Sequence, residues 1–178
     1  AQANRILTLA PTAQASSIGN VMLPMMNPAR NLFDKDHFSF SRVNWMTNIV
    51  DDMSYNFINF DRGQYGVNVL FFNYGEQNQS DEFGIIQSQF TPLSAVYSLS
   101  YARKVNKYNL GLDVKLITHN LHTQNAKGLV FGVGGYFPKV YKDLDLDVMV
   151  RNFGFAPKFG SWKSELPTSV NVAGTYPY

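Results

Sequence analysis

The chain has no cysteine. Disulfide staples and cysteine-based metal sites are excluded, though the compartment stays open on that ground alone. Charge is also scarce: 16% of the 178 residues are Asp, Glu, Lys or Arg, against about a quarter in ordinary soluble domains. A formal net charge of +2 and the absence of any Lys/Arg run argue against a nucleic-acid partner or an enzyme for acidic substrates. No stretch approaches the ~20 apolar residues of a transmembrane helix. Nor is there a Ser-His-Asp set, a phosphate-cradling glycine loop or a Cys/His nucleophile arrangement, so the chain reads as a non-enzyme without a cofactor. The opening Ala1-Gln2-Ala3-Asn4 lacks a methionine and a basic n-region. It reads like a mature chain after signal-peptide removal, although an arbitrary boundary would look the same.

What is abundant is aromatic. Fourteen Phe, ten Tyr and two Trp bring aromatics to 15% of the chain. The length fits one domain. From about Phe38 onward, alternating segments follow one another between turn signals, with no long helical period. In Leu110–Leu116, Leu110, Leu112, Val114 and Leu116 share one face, and Gly111, Asp113 and Lys115 the other. In Leu144–Arg151, Leu144, Leu146, Val148 and Val150 oppose Asp145, Asp147 and Arg151. Such strands need apolar solvent on one side and water on the other. The leucines and valines are therefore expected to face lipid. The mean hydropathy of −0.18 fits a membrane barrel, because only every second strand residue meets lipid.

Six more strands are read at His37–Asn44, Ser54–Phe60, Gln64–Tyr74, Ala95–Lys104, Gly128–Phe137 and Thr168–Tyr176. The total is about eight strands of roughly 8–11 residues, the length of a tilted membrane strand. The connections at Asp61–Gly63, Val105–Lys107 and Lys139–Lys142 are short. Those at about Trp45–Met53, Gly75–Leu93, Thr118–Lys127 and Asn152–Pro167 are longer, so short and long are expected to alternate strictly. Bacterial outer-membrane barrels show that asymmetry, with short periplasmic turns and longer outer loops. Aromatics gather near the strand ends (Trp45, Tyr65, Tyr74, Tyr101, Tyr108, Tyr136, Trp162, Tyr176), where an interfacial girdle would sit.

The first 36 residues follow another rule. Thr12–Gly19 reads as a short helix, and Pro24 and Pro28 forbid regular structure in Met22–Arg30. The domain reading is thus an N-terminal plug segment over 1–36 and barrel strands over 37–178. Residues Thr12–Arg30 are expected inside or across the mouth of the barrel, because Ile18, Val21, Leu23, Met25 and Met26 need burial. Asn27-Pro28 should turn the chain toward its first wall strand.

Each candidate site has a plainer reading beside it. Asp113, Lys115, Asp145, Asp147 and Arg151 would line a lumen, or would pair across strands to hold the barrel's shape. His119 and His122 are three apart, a spacing that fixes nothing between strands, so His37, His119 and His122 read as solvated loop histidines and no metal site is assigned. Asp51-Asp52 and Asp81-Glu82 lack the spacing of a calcium loop. Gly132, Gly134 and Gly135 read as strand glycines where the barrel bends or the plug approaches. Met22, Met25 and Met26, beside Leu23, form an adaptable apolar cluster, which suits greasy ligands or simple anchoring to the wall.

A family resemblance runs through the chain in order. Ala15-Ser-Ser-Ile-Gly19, Asn27-Pro28-Ala29, the aromatic Phe38-Ser-Phe-Ser41, Phe72-Asn-Tyr-Gly75, Leu99-Ser-Tyr-Ala-Arg103 and Val150-Arg-Asn-Phe-Gly154 carry it. Together they resemble the FadL-like superfamily of outer-membrane β-barrels, in particular its PorV/PorQ-like branch linked to type IX secretion. The resemblance implies an up-and-down antiparallel transmembrane barrel in the bacterial outer membrane, with Ile18, Leu23, Met25, Met26, Asn27 and Pro28 as hatch candidates. It implies a docking or structural role beside other envelope or secretion proteins; the alternative is a transporter or channel for hydrophobic small molecules. Barrels of this kind have roughly fourteen strands, whereas an interior of about eight strands is just filled by its own side chains. Either the chain is part of a larger barrel, or its strands close differently, or the N-terminal segment lies outside.

Overall fold

A computed structural model describes residues 3–9, 12, 26–33, 36–45 and 52–176. Its strands are β1 (His37–Asn44), β2 (Met53–Arg62), β3 (Tyr65–Tyr74), β4 (Gln77–Ser80), β5 (Ile86–Phe90), β6 (Leu93–Val105), β7 (Tyr108–Leu121), β8 (Gln124–Tyr141), β9 (Leu144–Phe155), β10 (Lys158–Phe159), β11 (Trp162–Lys163) and β12 (Ser169–Thr175). Eight of them form one sheet in the order β1-β2-β3-β6-β7-β8-β9-β12. Every neighbouring pair is antiparallel, so the sheet runs up and down. β4 pairs with β5 and β10 with β11 as separate small hairpins. Both fall within stretches read from sequence as open loops.

Turn chemistry sets the register. The pairs Gly63-Gln64, Asn106-Lys107, His122-Thr123 and Lys142-Asp143 each connect two strands. In each, the first residue takes a positive φ, between 53° and 55°, as primed hairpin turns require. One of these turns corrects the sequence reading. The long connection expected over Thr118–Lys127 does not exist, because the ladder continues through His119↔Ala126 and Asn120↔Asn125 to Leu121↔Gln124. Those residues are mostly polar and carry no apolar alternation, so the strict short-long order breaks there. A bulge at Asn152 (φ 60°) absorbs one residue, leaving Arg151 opposite Gly132 while Phe153 returns opposite Phe131.

Alternation divides the sheet into two unlike faces. On the outer face Phe38, Phe40, Val67, Leu99, Leu110, Leu112, Leu116, Val133, Val170 and Val172 are exposed, while Val114, Leu144, Leu146, Val148 and Val150 are partly buried. The opposite face is covered by the N-terminal elements, the 3-10 turns Ala3–Thr8 and Pro28–Leu32. Away from the short turns that face is apolar: Tyr55, Phe57, Leu70, Val96, Ile117 and Val130 cluster with Ile6. Near the turns it is polar, with Asn59, Asp61, Ser100, Asn109 and Asp147 buried.

Candidate functional site on the covered face

The polar half of the covered face is built to hold Asn27–Phe33. Asn27 caps the 3-10 turn, its Oδ1 accepting from the Ala29 amide at 3.1 Å, and Pro28 occupies the first helical position. That geometry is local, an Asx cap followed by a residue with a preset φ. The seat beneath it comes from distant strands. A Cβ on Gly111 would overlap the Pro28–Ala29 backbone, and one on Gly134 would overlap the Asn27 carboxamide. These two glycines therefore form a floor that any side chain would lift.

Charge then locks the segment down. Asp147 is fully buried and accepts from Asn27 Nδ2 at 3.1 Å and from Arg30 Nε at 2.8 Å, with Arg30 Nη2 on its other oxygen. The guanidinium lies 4.7 Å from the Tyr136 ring and 5.1 Å from the Phe33 ring, which themselves meet edge to face at 4.6 Å. Next to it, Asn31 donates to Ser100 Oγ at 2.9 Å, and Ser100 donates to the Gly66 carbonyl at 3.2 Å. A forked ion pair flanked by aromatic faces satisfies a buried carboxylate that would otherwise be costly.

The five charges singled out from sequence occupy the covered face but do not form one line. Asp147 belongs to the docked segment. Asp145 accepts from the Tyr136 hydroxyl and from the Lys139 amide, holding the β8–β9 end. Asp113 is buried with Lys115 Nζ at 2.9 Å, two residues along the same strand. Opposite them, Arg151 donates to Ser169 Oγ at 3.3 Å. The Asp113–Lys115 pair is thus within a strand and not across strands, and Gly132 is small because the Asp113 carboxylate fills its place.

Of the hatch candidates, Asn27 and Pro28 are buried and Met26 is half-buried, while Ile18, Leu23 and Met25 lie outside the described residues. A cavity of about 50 Å³ separates Ile6, Leu7, Leu9 and Met26 from Phe57, Leu70 and Val96, with Lys115 and Arg151 at its polar side. His119 corrects a second expectation: it is not a solvated loop histidine. It is buried, with Nδ1 2.6 Å from Ser94 Oγ and its ring 5.6 Å from Phe159. His122 is exposed, bonded to Gln79 at 2.9 Å and stacked on Phe90; His37 is exposed on β1. Among the described residues no three His, Asp or Glu side chains gather as a metal would need.

Arg30, Asn31, Tyr136 and Ser100 were not among the sequence candidates. One signal for their seat was present: Gly111 sits between Leu110 and Leu112, where an inward side chain was expected and none stands. No protein-family model and no curated protein matches the chain.

Proposed function

We propose that the chain forms the wall of an outer-membrane β-barrel and acts as a docking or structural component of the envelope. One observation carries this reading. One face of the sheet exposes apolar residues while the opposite face, near the short turns, buries polar ones, so that Leu112 is 48% exposed while Asp113, beside it, is 5% exposed. An apolar exterior and a polar interior fit hydrocarbon outside and a water-filled or plugged lumen inside. In hydrocarbon no sheet edge can stand unpaired, so β1 and β12 must bond each other or further strands, of this polypeptide or another. An eight-stranded interior is just filled by its own side chains, and here Asn27–Phe33 already occupies that face. This favours a larger barrel. The ordered resemblance to the PorV/PorQ-like branch supports a docking role, as does a plug segment tied down by a buried ion pair.

A FadL-like transporter of hydrophobic small molecules is the second reading, favoured by the cavity beside Lys115 and Arg151. At about 50 Å³ that cavity has room for a water or two, well short of the ~300 Å³ a small ligand occupies. Protease on intact cells tests the wall. Cuts are expected within Gly75–Leu93 and Asn152–Pro167, and none at Asp61–Gly63 or Asn106–Lys107; cleavage at the short turns would reverse the topology. Release of the protein by alkaline carbonate would defeat the membrane reading itself.

A further inference from the structure

The end of the sheet that carries the turns Gly63-Gln64, Asn106-Lys107 and Lys142-Asp143 has an uneven charge. Arg62, Arg103, Lys104, Lys107, Lys139 and Lys142 are all exposed there. The exposed acids that pair with them are Asp36 and Asp143, each 3.7 Å from its partner, Arg62 or Lys139, and Asp145 adds a carboxylate beside Lys139, whose amide it accepts from. Among the described residues Arg103, Lys104, Lys107 and Lys142 have no ion pair. At the opposite end the charges come close to balance, with Asp52, Glu76, Asp81, Glu82 and Glu165 against Arg5, Arg42, Lys127 and Lys158 among the described side chains.

The cations do not stand alone. Lys107 Nζ lies 5.3 Å from the Tyr108 ring and Lys142 Nζ 5.5 Å from the Tyr141 ring. Tyr65 packs on Tyr101 at 5.3 Å beside Arg62. On the outer face of this rim a groove of about 330 Å³ opens between Lys107 and Lys139, with Tyr108, Phe137, Pro138, Val140 and Leu146 as its floor. The groove is continuous with the apolar outer face, because Tyr108, Phe137 and Leu146 share the side of Leu110 and Val148.

We propose that this rim is a binding surface for anionic phospholipid, with Lys107 and Lys139 on the headgroup phosphate and the acyl chain lying across Tyr108, Phe137 and Leu146. Aromatic rings with snorkelling lysines are the side chains that suit a membrane's polar boundary. The net positive charge selects an anionic leaflet over a zwitterionic one. A basic peptide would be repelled, a zwitterionic surface would offer the lysines no net attraction, and a soluble acidic protein would have no use for a groove floor open to the lipid-facing side. The inference rests on the spanning reading and goes beyond it by naming the lipid.

The test is partition of the purified chain into phosphatidylcholine vesicles with and without phosphatidylglycerol, read by co-sedimentation. The wild type is expected to prefer the anionic vesicles at low salt and to lose that preference at high salt. Lys107→Gln and Lys139→Gln should each cut the preference about five-fold, whereas Lys127→Gln with Lys158→Gln at the other end should leave it. All four positions are exposed, and an unchanged near-UV dichroism spectrum would show that the variants fold. Partition into both vesicles without preference, or a preference that survives K107Q/K139Q, overturns the proposal and leaves the spanning reading intact. No partition into either vesicle defeats both.

Discussion

Strand β7 presents two environments with one alternating run of residues. Leu110, Leu112 and Leu116 stand exposed on one side, while Asn109, Asp113 and His119 are buried on the other. In a soluble half-covered sheet the hydrophobic effect would assign the sides the other way. Here burial falls on polar groups as well as on Ile117, and each polar group then needs a partner. The covered face is therefore held by an apolar cluster around Ile6 at one end and by directional bonds to Asn27–Phe33 at the other, while the outer face leaves its leucines exposed.

Breaking the directional side should cost most. Arg30→Ala leaves the Asp147 carboxylate buried with Asn27 Nδ2 as its remaining partner in this cluster, and losing one member of such a pair costs about 3–5 kcal/mol. A denaturant midpoint measures it. Adding Asp147→Asn should restore part of the loss; a double variant as unstable as the sum of the singles would show that the two side chains do not couple.

Next in size is a charge on the outer face. Leu112→Arg should cost about 2–4 kcal/mol if that residue sits near a bilayer midplane, but less than about 0.5 kcal/mol on a water-facing surface. Refolding into vesicles with denaturant titration separates the two values. The small figure would overturn the lipid-facing assignment and leave the covered face untouched.

A smaller effect is expected where the two faces' logic meets a glycine. Gly134→Ala places a methyl against the Asn27 carboxamide and should cost about 1–3 kcal/mol by overpacking. Gly135→Ala faces outward and meets the Phe137 ring instead. Its side chain leaves the docked segment alone, so Ala29 amide exchange should rise in the first variant and not in the second.

The contrast also explains what could be read from sequence. The outer face was legible because leucines and valines at every second position fix strand identity, and β1 and the start of β9 fall where alternation put them. Asp113, Lys115 and Asp147 could be assigned to the other face by the same parity. Their partners could not. Arg30 lies 117 residues from Asp147, and nothing local in Asn27–Arg30 announces which strand will receive it. The β4–β5 hairpin escaped notice for a related reason: Gln77–Ser80 has no apolar member, so its pairing with Ile86–Phe90 leaves no periodic trace.

That hairpin supplies the smallest expected effect, and a carboxylate to set against Asp147. Asp81 is open to water on part of its surface where Asp147 is buried, yet it too is held by directional bonds. Its Oδ1 accepts from the Phe83 amide at 3.0 Å and the Ile85 amide at 2.9 Å, and its Oδ2 accepts from Gln87 Nε2 at 2.9 Å. These donors favour the charged form and hold the carboxyl below the usual aspartate range, the Ile85 amide contributing most. A carboxyl whose folded pKa is depressed stabilises the fold above its unfolded pKa, and that contribution is lost as pH falls through the folded value. The turn should therefore be unchanged from neutral pH down to about 5 and fray only in more acidic solution, below the ordinary aspartate pKa. Hydrogen exchange at the Ile85 amide reads this directly. Asp81→Asn keeps an acceptor for both amides and should remove the acid sensitivity, whereas Asp81→Ala should fray the turn at every pH. Equal acid sensitivity in the asparagine variant would assign the titration to another group and leave Asp81 as a turn former alone.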